Sequence, residues 1–413
     1  MQPGLTDKVD FVSETTAARQ PGFFQGLFLL LPITLAVIGV SVFTATVAQM
    51  QQHFATVPNG DYLVNLLQTM PGFWIVAFSP VAGWLADRFG RRQILLVSMV
   101  LYAVAGVAPF FMENIYQILV TRCVVGMCES VVMTITTTML CDYFKGHLRE
   151  RWLASQTGVA SLSALMIIPL GGYLGSIFGW QGPFLVYLYS VPLVALVALF
   201  CWEPEREPAL PAAQAVANDD VRYQTIPWLR MSGILSVTLV GAVMFYATIT
   251  QNSNALVSLG VTDTAEIGRW AMIASIGVPV GTVVFWCIGR LSIGWLLFID
   301  FLLIGVGFLF MSSAKTPAAY AYAANLQQIG CGLVQPTLLV WATRGLAYQI
   351  RGRGNGLWQG ALGLGLFVSG ASITFLGKEV GGLIPAFGVL GKVSLLAAAC
   401  ALVGALIVRR APH

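Results

Sequence analysis

Charge is what this chain has least of. Only 10% of its 413 residues are Asp, Glu, Lys or Arg, while 57% are hydrophobic. A soluble domain carries about 25% charged residues. Together with a mean hydropathy of +0.78, this scarcity excludes a water-soluble globule. Histidine is also rare. His53, His147 and His413 all fall outside the apolar runs, so no His cluster is available for a metal or for hydrolysis at membrane depth. The seven cysteines lie in or at the ends of apolar runs and form no C-x-x-C, which reads as packing rather than redox chemistry. No G-x-x-x-x-G-K-[ST] loop is present, which excludes a P-loop nucleotide motor.

What remains is long apolar runs. They predict an all-α membrane protein with spans near 23–49, 62–86, 93–112, 115–141, 152–178, 183–202, 228–257, 265–288, 291–311, 317–342, 357–376 and 383–408. Met1–Gln20 is polar, with no apolar core ahead of a cleavage site, so the first run is expected to stay as a helix. Residues 203–227 are rich in Pro, Ala and acids and read as an exposed linker. The expected organisation is a cytoplasmic tail at 1–22, a six-helix bundle at 23–202, the cytoplasmic linker at 203–227, a second six-helix bundle at 228–408 and a cytoplasmic tail at 409–413. Placing both termini in the cytoplasm puts 17 of the 22 Lys and Arg on that side, as the positive-inside rule requires. Arg88 and Arg290 differ by 202 positions, and so do Arg151 and Arg353. Charged loops recurring at one offset suggest duplication of a six-span unit.

Between spans 2 and 3 the chain reads GWLADRFGRR. Gly83 would let span 2 approach a neighbour closely, and Gly90 supports a tight turn. Asp87, Arg88, Arg91 and Arg92 form a charged latch at the surface. Asp142, at the end of span 4, lies at the same depth.

This segment resembles the G-x-x-x-D-R-x-G-R-R signature of the major facilitator superfamily. Arg122 and Gly126 in ILVTRCVVGMCE, the junction Gly179-Trp180-Gln181-Gly182-Pro183-Phe184 and the segment Arg351-Gly352-Arg353 are similar to further segments of that family. The resemblance implies two pseudo-symmetric six-helix bundles, with spans 1, 4, 7 and 10 lining a central cavity. The latch would brace span 2 against span 11 when the cytoplasmic side is closed. Span 4, with Arg122 and Glu129, is similar to that of spinster-type lipid transporters and organic-anion:cation symporters. Spinster-type members usually carry an Asp in span 1, whereas Ser41–Thr46 holds no carboxylate. Drug/proton antiporters carry G-P-x-x-G-G in span 5. Here Gly171-Gly172 survive without the leading Gly-Pro.

Arg122, Glu129 and Asp300 are the ionisable residues deep in apolar runs. A charge there costs several kcal/mol unless paired or hydrated. Seven residues separate Arg122 from Glu129, so they share a helix face roughly 10 Å apart. The pair can couple protons, grip an anionic substrate or bridge to another span. Asp300 can act in coupling or hold a buried hydrogen bond. Polar groups facing lipid would be unsatisfied, so Tyr246, Gln251, Asn252, Gln328, Gln335, Trp358 and Gln359 are expected to face the cavity or to join helices. The expected function is secondary transport of a small organic molecule by alternating access, coupled to protons. A facilitative uniporter, an exporter that flips amphipaths and, remotely, a membrane-embedded enzyme are the alternatives. The expected partners are a small-molecule substrate, protons and the lipid bilayer of the inner or plasma membrane. No cofactor, metal or nucleic-acid partner is expected, and the chain reads as a monomer.

Overall fold

With no water inside a bilayer, each backbone N–H and C=O must find its partner within its own segment, which favours continuous helices. The computed structural model describes residues 21–203 and 225–410. Within them the chain is all-helical. Most of the expected tails and of the 203–227 linker lies outside the described residues.

Span 1 comprises three pieces, Phe23–Leu30, Ile33–Ser41 and Val47–His53. Span 2 is Gly60–Phe89, span 3 Arg91–Val107 with a 3-10 turn to Phe111, span 4 Ile115–Tyr143 and span 5 Gly146–Phe178. Span 6 begins as a 3-10 helix, Gly179–Tyr189, and continues as Ser190–Phe200. Span 7 is Trp228–Ser258, span 8 Thr264–Ser275 plus Gly277–Ile288, span 9 Ile293–Ser313 and span 10 Pro317–Thr343. Span 11 is Tyr348–Glu379 and span 12 Leu383–Arg410.

Ten stretches among the described residues are long and apolar enough to cross a membrane. One of them, Gly146–Phe200, runs 55 residues and holds spans 5 and 6, which part at Gly179, where φ is +69°. Span 10 falls outside the ten, diluted by Asn325, Gln327, Gln328 and Gln335.

The spans themselves depart from the sequence reading in two ways. Spans 5 and 11 begin at Gly146 and Tyr348, earlier than expected, so their basic segments sit in the first helical turns rather than in loops. Span 1 is interrupted. Thr44 and Thr46 N–H groups bond only three residues back, to Ser41 O at 3.2 Å and Phe43 O at 2.9 Å. The tightened turn releases carbonyls from the helical ladder. Gln68 Nε2 of span 2 donates to Val40 O at 2.8 Å, and Ser253 Oγ of span 7 donates to Ala45 O at 3.0 Å. The interruption is therefore a junction between elements.

Two large cores form. One draws on residues from Leu29 to Cys201. The other draws mainly on Ile234 to Ala398, joined by Val40 and Ala45. The described contacts between these halves gather on the side away from the start of span 1. There Gly72 of span 2 lies against Leu366 and the Gly363 carbonyl of span 11, where any added Cβ would collide. Gly172 of span 5 similarly meets Thr264 of span 8. On the opposite side an added Cβ at Gly83, Gly158, Gly352 or Gly356 meets open space. Among the described residues the halves are thus joined at one end, the closed end, and stand apart toward the other, the parted end. Gly83 thus makes no close approach in this conformation, contrary to its sequence reading, because the basic end of span 2 stands away from its neighbour.

Candidate functional site

Span 4 starts where the Asn114 side chain accepts from Tyr116 N at 2.9 Å, capping the helix. From there Arg122 and Glu129 both point into the first half and are fully buried. They do not form an ion pair. Arg122 Nη1 donates to Tyr187 Oη at 2.6 Å, and Nη2 reaches the Ala105 and Gly106 carbonyls at 3.5 and 3.4 Å. Its guanidinium also lies 4.7 Å from the Tyr187 ring, 5.2 Å from Phe184 and 5.6 Å from Phe43. An aromatic cage of this kind stabilises a desolvated cation. Glu129 packs against the bare Cα of Gly39 in span 1, and neither of its oxygens has a hydrogen-bond partner. Asp300 is fully buried in the other half, its backbone carbonyl beside Gly330 of span 10, and its two carboxyl oxygens likewise have no hydrogen-bond partner.

The uncharged candidates divide. Gln251 Nε2 donates to Asn65 Oδ1 of span 2 at 3.2 Å, so it joins the halves. Asn252 Oδ1 accepts from Tyr320 Oη at 3.0 Å inside the second half. Gln328 and Trp358 are buried, with Oε1 and Nε1 unpartnered. Tyr246 is half-buried against Phe245, at 4.7 Å between ring centroids, and Gln335 is half-buried. Gln359 is exposed. Gln327 is held on both ends, accepting from Thr248 Oγ1 at 3.0 Å and donating to Met244 O at 3.1 Å.

The closed end carries a network that the sequence did not single out. Lys378 of span 11 pairs with Asp61 of span 2 at 2.7 Å, with its ammonium 4.3 Å from the Tyr62 ring. One turn deeper, Asn65 Nδ2 donates to Thr374 Oγ1 at 2.8 Å. Ala48 N donates to Ser253 Oγ at 3.2 Å, tying span 1 to span 7. The available signal was a basic residue on the side poor in Lys and Arg, facing an Asp at the end of another span.

At the parted end, Arg91 pairs with Asp142. Arg88 lies over Trp84 and Phe89 at 5.4 and 5.5 Å, and Asp87 is exposed. Gly90 takes φ +93°, a turn that side chains rarely adopt. Arg92 Nη2 donates to Ala198 O at 2.6 Å. Glu203, also unmarked by the sequence, accepts from Arg91 N and Arg92 N at 2.7 and 2.8 Å. A carboxylate at the N-terminus of span 3 meets both the free N–H groups and the helix dipole.

A model of the Major Facilitator Superfamily matches residues 29–349. The chain belongs to that superfamily. It is a multi-pass membrane protein. Among curated relatives it is similar to the niacin transporter NiaP of Acinetobacter baylyi, 27% identical over 34% of this chain and 31% of the relative. It is 28% identical to human protein spinster homolog 3 over 45% of this chain and 40% of the relative. It is 34% identical to the zebrafish sphingosine-1-phosphate transporter SPNS2 over 29% of this chain and 23% of the relative. The matches thus span less than half the length of each of these relatives. Solved structures share the fold over nearly the whole chain. A bacterial homolog of the human lysosomal transporter spinster, inward-facing and unoccupied, matches with a TM-score of 0.68 at 17% identity, covering 92% of this chain and 95% of that one. A D-xylose-proton symporter matches with a TM-score of 0.74 at 15% identity, covering 92% and 97%.

Proposed function

We propose that this transporter moves a small organic molecule across the inner or plasma membrane by alternating access, coupled to protons through Glu129. The observation that carries the reading is the Glu129 carboxyl, fully buried at mid-span with no hydrogen-bond partner. An ionised carboxylate left this way costs several kcal/mol, and taking up a proton removes that cost. Protonation then favours the compact packing of spans 1 and 4, while loss of the proton favours a conformation in which water or a partner reaches the carboxylate. That differential is what a coupling ion must supply to shift a two-state equilibrium.

The positive-inside distribution of Lys and Arg assigns the parted end to the cytoplasm. On that assignment the conformation is open to the cytoplasm, with the network around Asp61, Asn65, Thr374 and Lys378 as the external gate. The signature segment with Gly83, Asp87, Arg88, Gly90, Arg91, Arg92 and Asp142 closes the cytoplasmic side in the alternate state. Tyr246, Gln328, Gln335, Trp358 and Gln359 are substrate-contact candidates, and a monomer suffices for the cycle. Arg122 acts as an internal brace, since its two Nη atoms are held by Tyr187 and two carbonyls. Similarity to spinster-type proteins favours an amphipathic organic substrate.

The test is uptake into proteoliposomes with a panel of amphipathic, sugar-like and carboxylate compounds, with and without an imposed pH gradient. Gradient-dependent accumulation of one class supports the reading. Equilibration that ignores the gradient supports a uniporter instead.

A further inference from the structure

We propose that Gly39 is a positioning residue for the Glu129 carboxyl, seating it against span 1 just ahead of that span's interruption. The inference rests on the reading of Glu129 as the proton carrier. A Cβ built on Gly39 would strike Glu129 Oε1, and would lie 2.9 Å from Cδ and 3.1 Å from Oε2. Three atoms of one carboxyl therefore occupy the space that any side chain at position 39 would claim. The segment they rest on is pinned by other elements. Tyr102 Oη of span 3 donates to Leu35 O at 2.7 Å, and Gln68 Nε2 of span 2 donates to Val40 O at 2.8 Å. With span 1 held on both sides of Gly39, the carboxyl is the partner free to move. The helical ladder lapses three residues later, from Val42 to Thr46, where Ala45 O bonds span 7. The seat thus adjoins the segment through which span 1 contacts the second half.

The ionisable groups near Glu129 among the described residues are Arg122 and Cys128 on its own span, Tyr102 on span 3 and Tyr187 on span 6. Span 1 presents glycine, and the side chain that span 2 sends to the adjoining Val40 carbonyl is the neutral Gln68. None of these groups changes in a Gly39 variant, so a changed pH response reports the seat itself. Because the colliding atoms are the far end of a flexible side chain, Gly39→Ala moves the carboxyl and leaves the backbone in place.

The experiment needs no substrate. Spin labels on Cys variants of Pro58 and Glu379 report the separation of spans 2 and 11 at the closed end, read across pH in nanodiscs. The wild type is expected to titrate between two distances. Gly39→Ala is expected to move the midpoint by about half a pH unit or more, a roughly threefold change in apparent proton affinity. Gly233→Ala, where an added Cβ meets open space, serves as the control and leaves the midpoint in place. Should Gly39→Ala fail to fold, Glu129→Asp with and without Gly39→Ala gives the same comparison, with the carboxyl drawn back by one methylene. A midpoint unmoved in the folded variant overturns the seat while Glu129→Gln still abolishes the titration. Titration surviving in Glu129→Gln overturns the proton-carrier reading as well.

Discussion

Asn65 sits at the centre of the closed end, and its replacement by alanine should open that end. The side chain is fully buried and makes three hydrogen bonds. One, to Asp61 O at 2.9 Å, stays within span 2 and is available in either conformation. The other two cross between the halves, to Thr374 Oγ1 of span 11 at 2.8 Å and from Gln251 Nε2 of span 7 at 3.2 Å. Only these two distinguish the closed end from an open one. Side-chain hydrogen bonds inside membrane proteins contribute about 0.6 kcal/mol each on average. Two of them sum to about 1.2 kcal/mol, which shifts the ratio of closed to open about eightfold at 25 °C. Alanine keeps the Cβ that packs near Gly370, so the change isolates the amide. Leaving Gln251 Nε2 without its acceptor adds to the shift in the same direction. Distance distributions between labels at positions 58 and 379 should show the longer population growing several-fold. Thr374→Val and Gln251→Leu should each produce about half the effect in free energy. A folded Asn65→Ala protein with the wild-type distribution would refute the reasoning and reduce the network to packing.

Four further outcomes follow from the same geometry. Asp61→Lys and Lys378→Asp should each raise the open population at that end, and the double exchange should restore the wild-type distribution, with the single-variant effects shrinking at high salt because the pair is exposed. Tyr187→Phe should destabilise the first half by about 1.5–3 kcal/mol, the range for a hydrogen bond to a charged group, seen as a lower melting temperature in detergent. Single cysteines at positions 251 and 359, in a background cleared of native cysteines, should differ: position 359 reacts with a water-soluble thiol reagent in this conformation, while position 251 reacts only when the opposite end opens. Glu129→Gln should separate exchange, which persists, from proton-driven accumulation, which is lost.

The fold was legible because membrane helices are written in one variable. An apolar run of the right length has few alternatives, and the GWLADRFGRR segment fixed the family. The boundaries of spans 5 and 11 were not legible, since Arg149, Arg151 and Arg353 look like loop charges until the helix is seen to extend past the apolar core into its basic end. The interruption of span 1 was hidden for the opposite reason. Val42–Thr46 lacks Pro or Gly, and its two threonines do not by themselves break a helix; what opens it is the partner set on spans 2 and 7. Arg122 and Glu129 stood out as rare charges, and their burial follows from that rarity. Their partners did not stand out, because a shared helix face says nothing about which neighbour each side chain meets. Arg122 went to Tyr187 and Glu129 to a glycine, two residues with no marking of their own. The gate at Asp61 and Lys378 needed the register between spans 2 and 11, which is a tertiary fact.

On the proposed reading, Glu129 carries the coupling proton. The most direct measurement compares wild type and Glu129→Gln in proteoliposomes, once with a substrate gradient alone and once with an imposed pH gradient. The variant, folded and monodisperse, should retain substrate exchange down its gradient and lose accumulation driven by protons. Proton-driven accumulation by Glu129→Gln at the wild-type level would contradict that reading.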